Sequence, residues 1–433
     1  MTWTRVTNTE GFLAALEKGA THIELVGTLK GLPSVTLPPG VAVRGGELIF
    51  GAKGLRLTSN NTVQDLIITT VPHEAALYND TSVSDLGTLS LANVTTTGQV
   101  YLVADGNIRA GRIEADGVHV TAADTRGRFH RPTGFGVEAL QGAFTVWNRQ
   151  ADPAVKLTAR LEHISAGSQA EPGQGGGIFV GGHGDTAGKA DGGIIDVELL
   201  STVDVFSNGG IAPGTPDLIS GGVFVISGAN VAKVLNLGTT TTYGQNDMVL
   251  DNWGFVTDWN TRGAVTSWGP SGIGFVNFGD IGTLRIEAPV ETFGLGARGF
   301  NVYDGSLQEA VFDSITTHGD GSVGVQVSRD LPELLIRGDL RTEGGTGESL
   351  VKGVLLPLSA IALSIKPGGR IGRVEIGGEV RTEGAGVPAM DLEGELGSIT
   401  VGGAVTAAAG KSDVVRTVPA LAPVLAGLTI EGR

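Results

Sequence analysis

The regular part of the chain consists of short runs in which apolar and polar residues alternate. In one run, Val290 and Thr292 are predicted on one face and Glu291 and Phe293 on the other, because successive side chains of a strand leave opposite faces. Glycine-containing turns bound each run, which is typical of short strands. Helical periodicity is absent from these runs. The pattern predicts an all-β protein.

The runs recur at a fixed interval of 25 residues. Five copies follow one another without insertion or deletion. A short-strand repeat of this length predicts coils that stack in parallel at about 4.8 Å, as in a right-handed, single-stranded parallel β-helix. The recurring positions are Thr240, Val265, Val290, Ile315 and Leu340; then Tyr243, Trp268, Phe293, His318 and Glu343, each followed by glycine; and Leu250, Phe275, Phe300, Val325 and Leu350.

The N-terminal segment has a helical pattern. Asn8 is an N-cap residue, an apolar stripe follows, and Gly19 ends the segment, which predicts a capping helix over residues 8–18. Such a helix would cover the end of the core, where uncovered strands invite aggregation. We predict one domain over 1–433, with a cap (1–36), first coils (37–70), less regular coils with long loops (71–192), regular coils (193–350), an insertion (351–370) and C-terminal coils with a cap (371–433).

Two N-terminal segments carry a family resemblance. The helix, the strand from Ile23 and the turn Val26-Gly-Thr-Leu-Lys-Gly31 look like the N-terminal cap of pectate lyases. The stretch Leu37 to Gly51 is similar to the first coil of the pectin-lyase-like right-handed β-helix superfamily. The calcium-binding aspartate cluster and the Arg-x-Pro-x-x-Arg element of pectate lyases are not found. The resemblance implies the β-helix architecture over most of the chain and an activity on carbohydrate.

The amino-acid composition excludes a collagen-like fold and cysteine-dependent sites. Glycine accounts for 70 of the 433 residues, yet no Gly-X-Y period runs through the chain, which excludes collagen. We expect Gly244, Gly269, Gly294, Gly319 and Gly344 to form tight corners with positive φ. The absence of cysteine excludes disulfides, cysteine nucleophiles and zinc–thiolate sites.

The net charge of −15 argues against nucleic acid and membrane surfaces as partners. It also disfavours a polyanionic substrate unless basic residues gather locally. No apolar segment of signal-peptide length begins the chain, and the run Val354 to Ile365 is too short to cross a bilayer. We therefore expect a cytoplasmic protein, or a secreted one whose signal peptide is absent from this chain.

No cofactor or metal is expected. Gly294 to Gly299 fits a dinucleotide-binding fingerprint, but a predicted strand follows where that fingerprint requires a helix. The segments Gly182 to Asp185 and Arg126 to His130 each contain one histidine without metal-ligand spacing, and we interpret them as solvated loops.

The candidate site comes from positions predicted to face outward. If Leu250 and its equivalents point inward, the residues next to them display carboxylates, amides and aromatic rings on one outer face, and rings suit the C–H faces of sugars. The predicted catalytic residues are Asp251, Asp304, His318 and Asp320. The predicted substrate-binding residues are Trp253, Trp268, Phe278, Arg298, Asn301, Tyr303, Gln326 and Lys352.

These residue types favour a carbohydrate-active enzyme that uses Asp, Glu or His for acid–base chemistry. A glycoside hydrolase needs two carboxyl groups, whereas a lyase needs a base and a group that neutralises the substrate acid. The alternative is a non-catalytic β-helix: a glycan-binding, adhesin-like or fibre protein. The aromatic columns could also serve packing alone. We predict that Asn252 and Asn277 point inward and form a hydrogen-bonded ladder. Both interpretations are compatible with a homo-oligomer, for example a trimer.

Overall fold

The structure is an all-β parallel β-helix with a short N-terminal helix, confirming the predicted fold class. This computed structural model describes residues 2–351, 354–408 and 414–432. The chain forms two compact units. We call residues 1–135, 139–208 and 224–232 the N-terminal unit, and residues 136–138, 209–223 and 233–433 the C-terminal unit.

The strands of the first half of the chain are β1 (Thr4–Val6), β2 (His22–Leu25), β3 (Thr28–Leu32), β4 (Val35–Thr36), β5 (Ala42–Arg44), β6 (Glu47–Phe50), β7 (Leu55–Leu57), β8 (Thr62–Thr69), β9 (Ala75–Asn79), β10 (Asp85–Thr97), β11 (Gln99–Ala104), β12 (Ala110–Ala122), β13 (Thr133–Gly134), β14 (Val137–Ala139), β15 (Gly142–Asn148), β16 (Lys156–Ala166), β17 (Gly173–Gln174), β18 (Gly176–Gly181), β19 (Ile194–Asn208) and β20 (Leu218–Val225).

The remaining strands are β21 (Ala229–Asn236), β22 (Thr240–Thr242), β23 (Asp247–Asn252), β24 (Phe255–Thr261), β25 (Val265–Ser267), β26 (Ile273–Asn277), β27 (Asp280–Ile286), β28 (Val290–Thr292), β29 (Arg298–Val302), β30 (Ser306–Phe312), β31 (Ile315–Thr317), β32 (Val323–Val327), β33 (Asp330–Ile336), β34 (Leu340–Thr342), β35 (Thr346–Val351), β36 (Val354–Ser359), β37 (Leu363–Ile365), β38 (Arg370–Ile376), β39 (Val380–Thr382), β40 (Met390–Leu392), β41 (Glu395–Val401), β42 (Val405–Ala407), β43 (Val415–Thr417) and β44 (Ile430–Gly432).

The N-terminal helix α1 spans Thr9–Glu17. Its N-cap is Asn8, whose side chain accepts a hydrogen bond from the Gly11 backbone N–H at 2.8 Å. Phe12 and Ala15 are buried, and the helix contacts β1, β2 and β3. A second helix, α2 (Ala422–Leu425), follows a 3₁₀ turn at Pro419–Leu421 near the other end of the chain.

In the N-terminal unit, strands of successive coils pair in parallel. One stack runs β7, β9, β11, β15 and β18, in which Tyr78 pairs with Tyr101 and Val103 with Trp147. A second stack contains β8, β10, β12, β16 and β19. These stacks hold side chains from consecutive coils at neighbouring positions about 4.8 Å apart.

In the C-terminal unit, the 25-residue repeat is visible as strand register. Val265 pairs with Thr240 on one side and Val290 on the other, and the same register continues to Ile315 and Leu340. Val265, Val290, Ile315 and Leu340 are fully buried, so this column forms part of the core.

The prediction that Leu350 closes the second column is wrong. Val325 pairs with Leu363, whereas Leu350 pairs with Leu355 in the antiparallel hairpin of β35 and β36. The hairpin is inserted between β34 and β37. The 25-residue interval alone therefore predicts Leu350 at the position of the fifth coil that Leu363 occupies.

The prediction of positive φ at the corner glycines is also wrong. Residues with positive φ nearby are Gly296, Gly305 and Gly321, whereas Gly269 and Gly294 are not among them. A Cβ atom at Gly294 would instead fall on the carbonyl oxygen of Gly269, and one at Gly269 on that of Gly244. Glycine is needed here because successive coils approach each other at their backbones.

Candidate functional site

The expectation that Asp251, Asn301 and Gln326 are exposed is wrong. Asp251 and Asn301 are fully buried, and Gln326 is 6% exposed. Every residue of β26, β29 and β32 is buried, so both faces of these strands are covered. Alternation along a strand predicts opposite faces but does not predict which of them meets solvent.

Asp251 is hydrogen-bonded to Trp253, one of the predicted aromatic residues. Its Oδ2 atom accepts a hydrogen bond from Trp253 Nε1 at 3.1 Å, and Oδ1 has no hydrogen-bond partner among the described residues. Burial raises the pKa of Asp251 well above its usual range, against the opposing effect of the Trp253 hydrogen bond. Trp253 is itself buried. A substrate therefore has no direct access to this carboxyl group.

The column formed by Trp253, Phe278 and Tyr303 is packed against itself. The Phe278 and Tyr303 rings stack with centroids 5.2 Å apart, and Trp253 meets Phe278 edge to face at 6.3 Å. Phe278 and Tyr303 are half-buried. Arg298, another predicted substrate-binding residue, is buried, with 1% of its surface exposed.

The column that contains His318 is stacked even more closely. Phe293 lies between Trp268 and His318, with ring centroids at 4.0 and 4.3 Å and nearly parallel planes. His318 Nδ1 lies 2.7 Å from Glu343 Oε2, and its Nε2 lies 3.8 Å from Glu291 Oε1. Both faces of the Phe293 ring are covered, so a sugar could meet only its edge.

The predicted catalytic residues fall into two groups. Asp251 and Asp304 lie at the end of the β23 and β29 strands, whereas His318 and Asp320 lie in the turn that precedes β32. A five-residue strand such as β29 separates such turns by about 16 Å. The structure therefore does not bring the four residues together.

Other contacts of the predicted residues are local. Asp304 forms an ion pair with Arg329 at 2.9 Å, and Asp320 accepts a hydrogen bond from the Gly345 backbone N–H at 2.6 Å. Lys352, predicted to bind substrate, lies outside the described residues.

A cleft with a different set of reactive groups lies in the N-terminal unit. It has a volume of about 550 Å³ and is lined by two loops and by the outer face of β15. The loops are those interpreted from sequence as solvated segments. The lining includes His130, Arg131, Trp147, Arg149, His183, Asp185 and Asp191.

His183 and Asp191 form a pair across one of these loops. An antiparallel bridge between Gly184 and Ala190 brings the two ends of the loop together, and the His183 N–H donates to Gly193 O at 2.8 Å. His183 Nδ1 lies 2.6 Å from Asp191 Oδ1, while Nε2 has no hydrogen-bond partner among the described residues. A carboxylate on Nδ1 fixes the ring and leaves Nε2 as the atom that can take a proton.

The floor of the cleft is fixed to the same loop. Trp147 Nε1 donates a hydrogen bond to Gly182 O at 2.9 Å, and Gly181 stands opposite Trp147 in the strand register. The Arg149 guanidinium lies over the Trp147 ring at 5.1 Å and pairs with Asp105 at 2.5 Å. These contacts hold an aromatic surface and a cation beside the His183–Asp191 pair.

The second loop is held by backbone and side-chain contacts. Gln141 Nε2 donates to His130 O at 2.7 Å, and the Ala139 N–H donates to Pro132 O at 3.0 Å. The two loops meet where Phe135 packs over Gly188, which has a φ of 84° and no room for a side chain. The two loops that bound the cleft therefore contact each other.

A second cavity of about 270 Å³ is lined by residues that include Val103, which pairs in strand register with Trp147 of the cleft. Arg56, Tyr78 and Tyr101 occupy matching positions on β7, β9 and β11. Arg128 lines this cavity, and the next residue, Phe129, lines the cleft. Burial raises the pKa of Tyr101, opposed by the charge of Arg149 and a hydrogen bond to it.

Among residues 2–351, 354–408 and 414–432, no group of three His, Asp or Glu side chains has the geometry to hold a metal ion. Within the same ranges, no helix has the length and apolar character needed to cross a membrane. Comparisons of the chain with protein-family models, with curated proteins and with solved structures give no match. The interpretation of the site therefore depends on its geometry.

The sequence contained a signal for the cleft. Histidine occurs only 7 times in the chain, and each loop contains one in the part predicted to carry long loops: His183 lies between two glycines, and His130 precedes Arg131. His183 and Asp191 are eight residues apart, too distant for a local motif unless the intervening residues form a hairpin.

Proposed function

We propose that the protein is a carbohydrate-active enzyme of the pectin-lyase-like β-helix type, which cleaves a glycan in the cleft of the N-terminal unit. The observation that carries this proposal is the His183–Asp191 pair in a cleft lined by Trp147, Arg131 and Arg149. The parallel coils and the N-terminal helix support the superfamily assignment, which remains part of the proposal.

The surface suits an extended ligand. From Arg56 on β7 through Tyr101 on β11 to Trp147 on β15 and His183 after β18, the groups lie on five consecutive strands, or about 19 Å. Aromatic rings interspersed with charged and amide groups match the C–H faces and hydroxyl groups of sugars. A polymer lying across the coils would contact every one of these strands.

The proposed chemistry begins with proton abstraction by His183 Nε2. In hydrolysis, the proton comes from water, whose oxygen attacks the anomeric carbon as the bond to the leaving oxygen breaks. In elimination, it comes from a C–H beside an acidic group, and a C=C bond forms as the bond to the leaving oxygen breaks. In both cases the leaving oxygen takes a proton from solvent and departs as a hydroxyl group, and the imidazolium returns its proton to solvent. The Asp191 carboxylate stabilises the imidazolium in either case.

Arg131 lines the cleft and is placed to neutralise negative charge that develops on the substrate, whereas Arg149 is paired with Asp105. Asp185 Oδ1 accepts the Lys189 N–H at 2.8 Å and Asp191 Oδ1 lies 2.6 Å from His183 Nδ1, so both aspartates of the cleft already have partners. This arrangement favours a histidine base over a two-carboxylate mechanism.

Turnover of an oligosaccharide panel tests the proposal, with new reducing ends scored for hydrolysis and ultraviolet absorbance of the unsaturated product for elimination. We expect His183→Ala to abolish turnover. His163 and Asp116 form a matched control, because their Nδ1–Oδ1 distance is 2.7 Å but neither residue lines the cleft. Equal activity in His183→Ala and His163→Ala would overturn the proposal.

A non-catalytic glycan-binding or fibre protein is the second candidate. The observation that favours it is the internal pairing of the C-terminal columns, in which rings cover rings and His318 is paired with Glu343. Such ladders stabilise stacked coils without a ligand. Saturable glycan binding without turnover in the wild-type protein would support this candidate.

A further inference from the structure

The cavity beside the cleft is lined by Arg128, a half-buried residue with two guanidinium donors that have no acceptor in the described part of the chain. Arg128 Nε and Nη2 are both buried, and neither has a hydrogen-bond partner among the described residues. These two atoms carry the parallel N–H bonds of one edge of the guanidinium, the edge that binds carboxylate, sulfate or phosphate in a bidentate manner. Buried donors without acceptors cost stability, and charged donors cost the most.

The surroundings of Arg128 are basic although the chain as a whole is acidic. Lys53, Arg56 and Arg128 line the cavity together with a single carboxylate, that of Asp80. Asp80 accepts hydrogen bonds from the backbone and side chain of Ser82 at 2.9 and 2.8 Å, and it lies 4.0 Å from Arg56. Asp80 therefore has partners other than Arg128. Cationic side chains outnumber carboxylates in the lining of the cavity.

Among the described residues, no nearby carboxylate is hydrogen-bonded to the Nε–Nη2 edge of Arg128. Asp124 is held by Arg126 through two side-chain hydrogen bonds at 2.9 and 2.7 Å. Glu74 acts on Arg128 through its charge, without a hydrogen bond to it. Burial lowers the pKa of Arg128, and these charges oppose the shift. A planar or tetrahedral anion would supply the acceptors that the protein does not.

We propose that Arg128, with Lys53 and Arg56, forms an anion-binding site for a carboxylate or sulfate group carried by the ligand. Tyr78 and Tyr101 occupy the strand positions beside it, so the ring bearing the anion would lie against aromatic surface. That the anion belongs to a sugar depends on the proposed function. The anion site itself does not.

The site is tested first with simple anions. Sodium sulfate and sodium acetate are titrated at constant ionic strength, and the Nε–H NMR signal of Arg128 is followed after assignment by its loss in Arg128→Lys. We expect a saturable shift for both anions, with no shift of the Arg149 signal, because Arg149 is paired with Asp105. Absence of a saturable shift at Arg128 overturns the proposal.

Variants separate this site from the cleft. Arg128→Gln should weaken anion affinity about tenfold or more, and Lys53→Gln should weaken it by a smaller factor. His183→Ala should leave anion binding unchanged, so loss of turnover and loss of the anion site are distinguishable. Anion-induced thermal stabilisation that persists in Arg128→Gln would contradict the assignment.

The source of the anion is decided with oligosaccharides of equal length that are neutral, carboxylated or sulfated. Tighter binding of one acidic series, with the gain lost in Arg128→Gln, identifies its anionic group. Equal binding of all three series by the wild-type protein overturns the assignment of the anion to a sugar, whereas the titration with simple anions decides the anion site itself.

Discussion

His183 Nδ1 and Asp191 Oδ1 lie 2.6 Å apart across a hairpin loop that borders a cleft. The pair His163–Asp116 has nearly the same distance, 2.7 Å, on an exposed strand surface. The same two side chains therefore occur in two settings, one beside an indole and two guanidinium groups and one facing solvent. The setting, more than the pair, decides which histidine can act on a bound ligand.

The first prediction concerns the carboxylate of the cleft pair. Asp191→Asn removes the charge that stabilises the His183 imidazolium and permits the wrong tautomer, so we expect kcat to fall about 10²–10⁴-fold with a smaller change in KM. Steady-state kinetics measure both. Asp116→Asn is the control and should retain wild-type kcat. A large fall in both variants would point to loss of stability instead.

The core of the C-terminal unit was predictable because it is periodic. Val265, Val290, Ile315 and Leu340 occupy identical positions in successive coils, and an apolar side chain in each of these copies predicts that their shared face is buried. The hydrogen bond from Asn252 Nδ2 to Asn277 Oδ1 at 2.9 Å also confirms the predicted ladder. Each of these features depends only on residues one coil apart.

The cleft was not predictable in the same way. It forms where residues 126–135 meet residues 182–193, a contact that no repeat interval encodes, and Phe135 over Gly188 is decided by loop conformation. The burial of Asp251 likewise depends on the conformation of Trp253, whose indole donates to it. The alternation of residues along a strand predicts which side chains share a face. Tertiary packing decides whether that face is covered.

The second prediction concerns Asp251. Its pKa is raised in the folded protein, so folding takes up a proton, and stability falls as pH rises from about 4 toward the folded pKa. Asp251→Asn keeps an acceptor for Trp253 Nε1 and removes the charge. We expect it to stabilise the protein at pH 7 by about 1–3 kcal/mol. Urea denaturation at pH 4 and pH 7 checks this, with the difference absent at pH 4.

The third prediction concerns Asp247, whose pKa is raised to about 7 by burial, against backbone hydrogen bonds from Gly209 and Gly244. As for Asp251, the raised pKa means that the free energy of unfolding falls as pH rises between about 4 and 7 and then levels off. In the Asp251→Asn background, Asp247→Asn should further reduce the fall in the free energy of unfolding between about pH 4 and pH 7. An unchanged pH dependence in the double variant would contradict the assignment to Asp247.

The fourth prediction concerns the stacked corner glycines. Gly294→Ala places a Cβ atom on the carbonyl oxygen of Gly269, and the backbones of two coils must separate to admit it. We expect a loss of about 3 kcal/mol or more in the free energy of unfolding, or failure to fold. Gly427→Ala is the matched control, since no atom lies within 4 Å of its added Cβ. Similar effects of the two substitutions would contradict the backbone-contact interpretation.

The fifth prediction separates packing from binding in the column of Trp268, Phe293 and His318. Phe293→Ala removes two ring contacts, at 4.0 and 4.3 Å, and should destabilise the protein by about 1–3 kcal/mol. Turnover should not change, because both faces of that ring are already covered.

Trp147→Ala in the cleft should instead raise KM, because Trp147 Nε1 holds the carbonyl of Gly182 beside His183 and its ring supports the Arg149 guanidinium. Chemical denaturation and steady-state kinetics of the two variants give a direct contrast. His318→Ala extends it: the imidazole pairs with Glu343 at 2.7 Å within the column, so its loss should lower stability and leave kcat intact. If His318→Ala or Phe293→Ala abolished turnover in a folded protein, the C-terminal column would be the active surface and the N-terminal cleft would not.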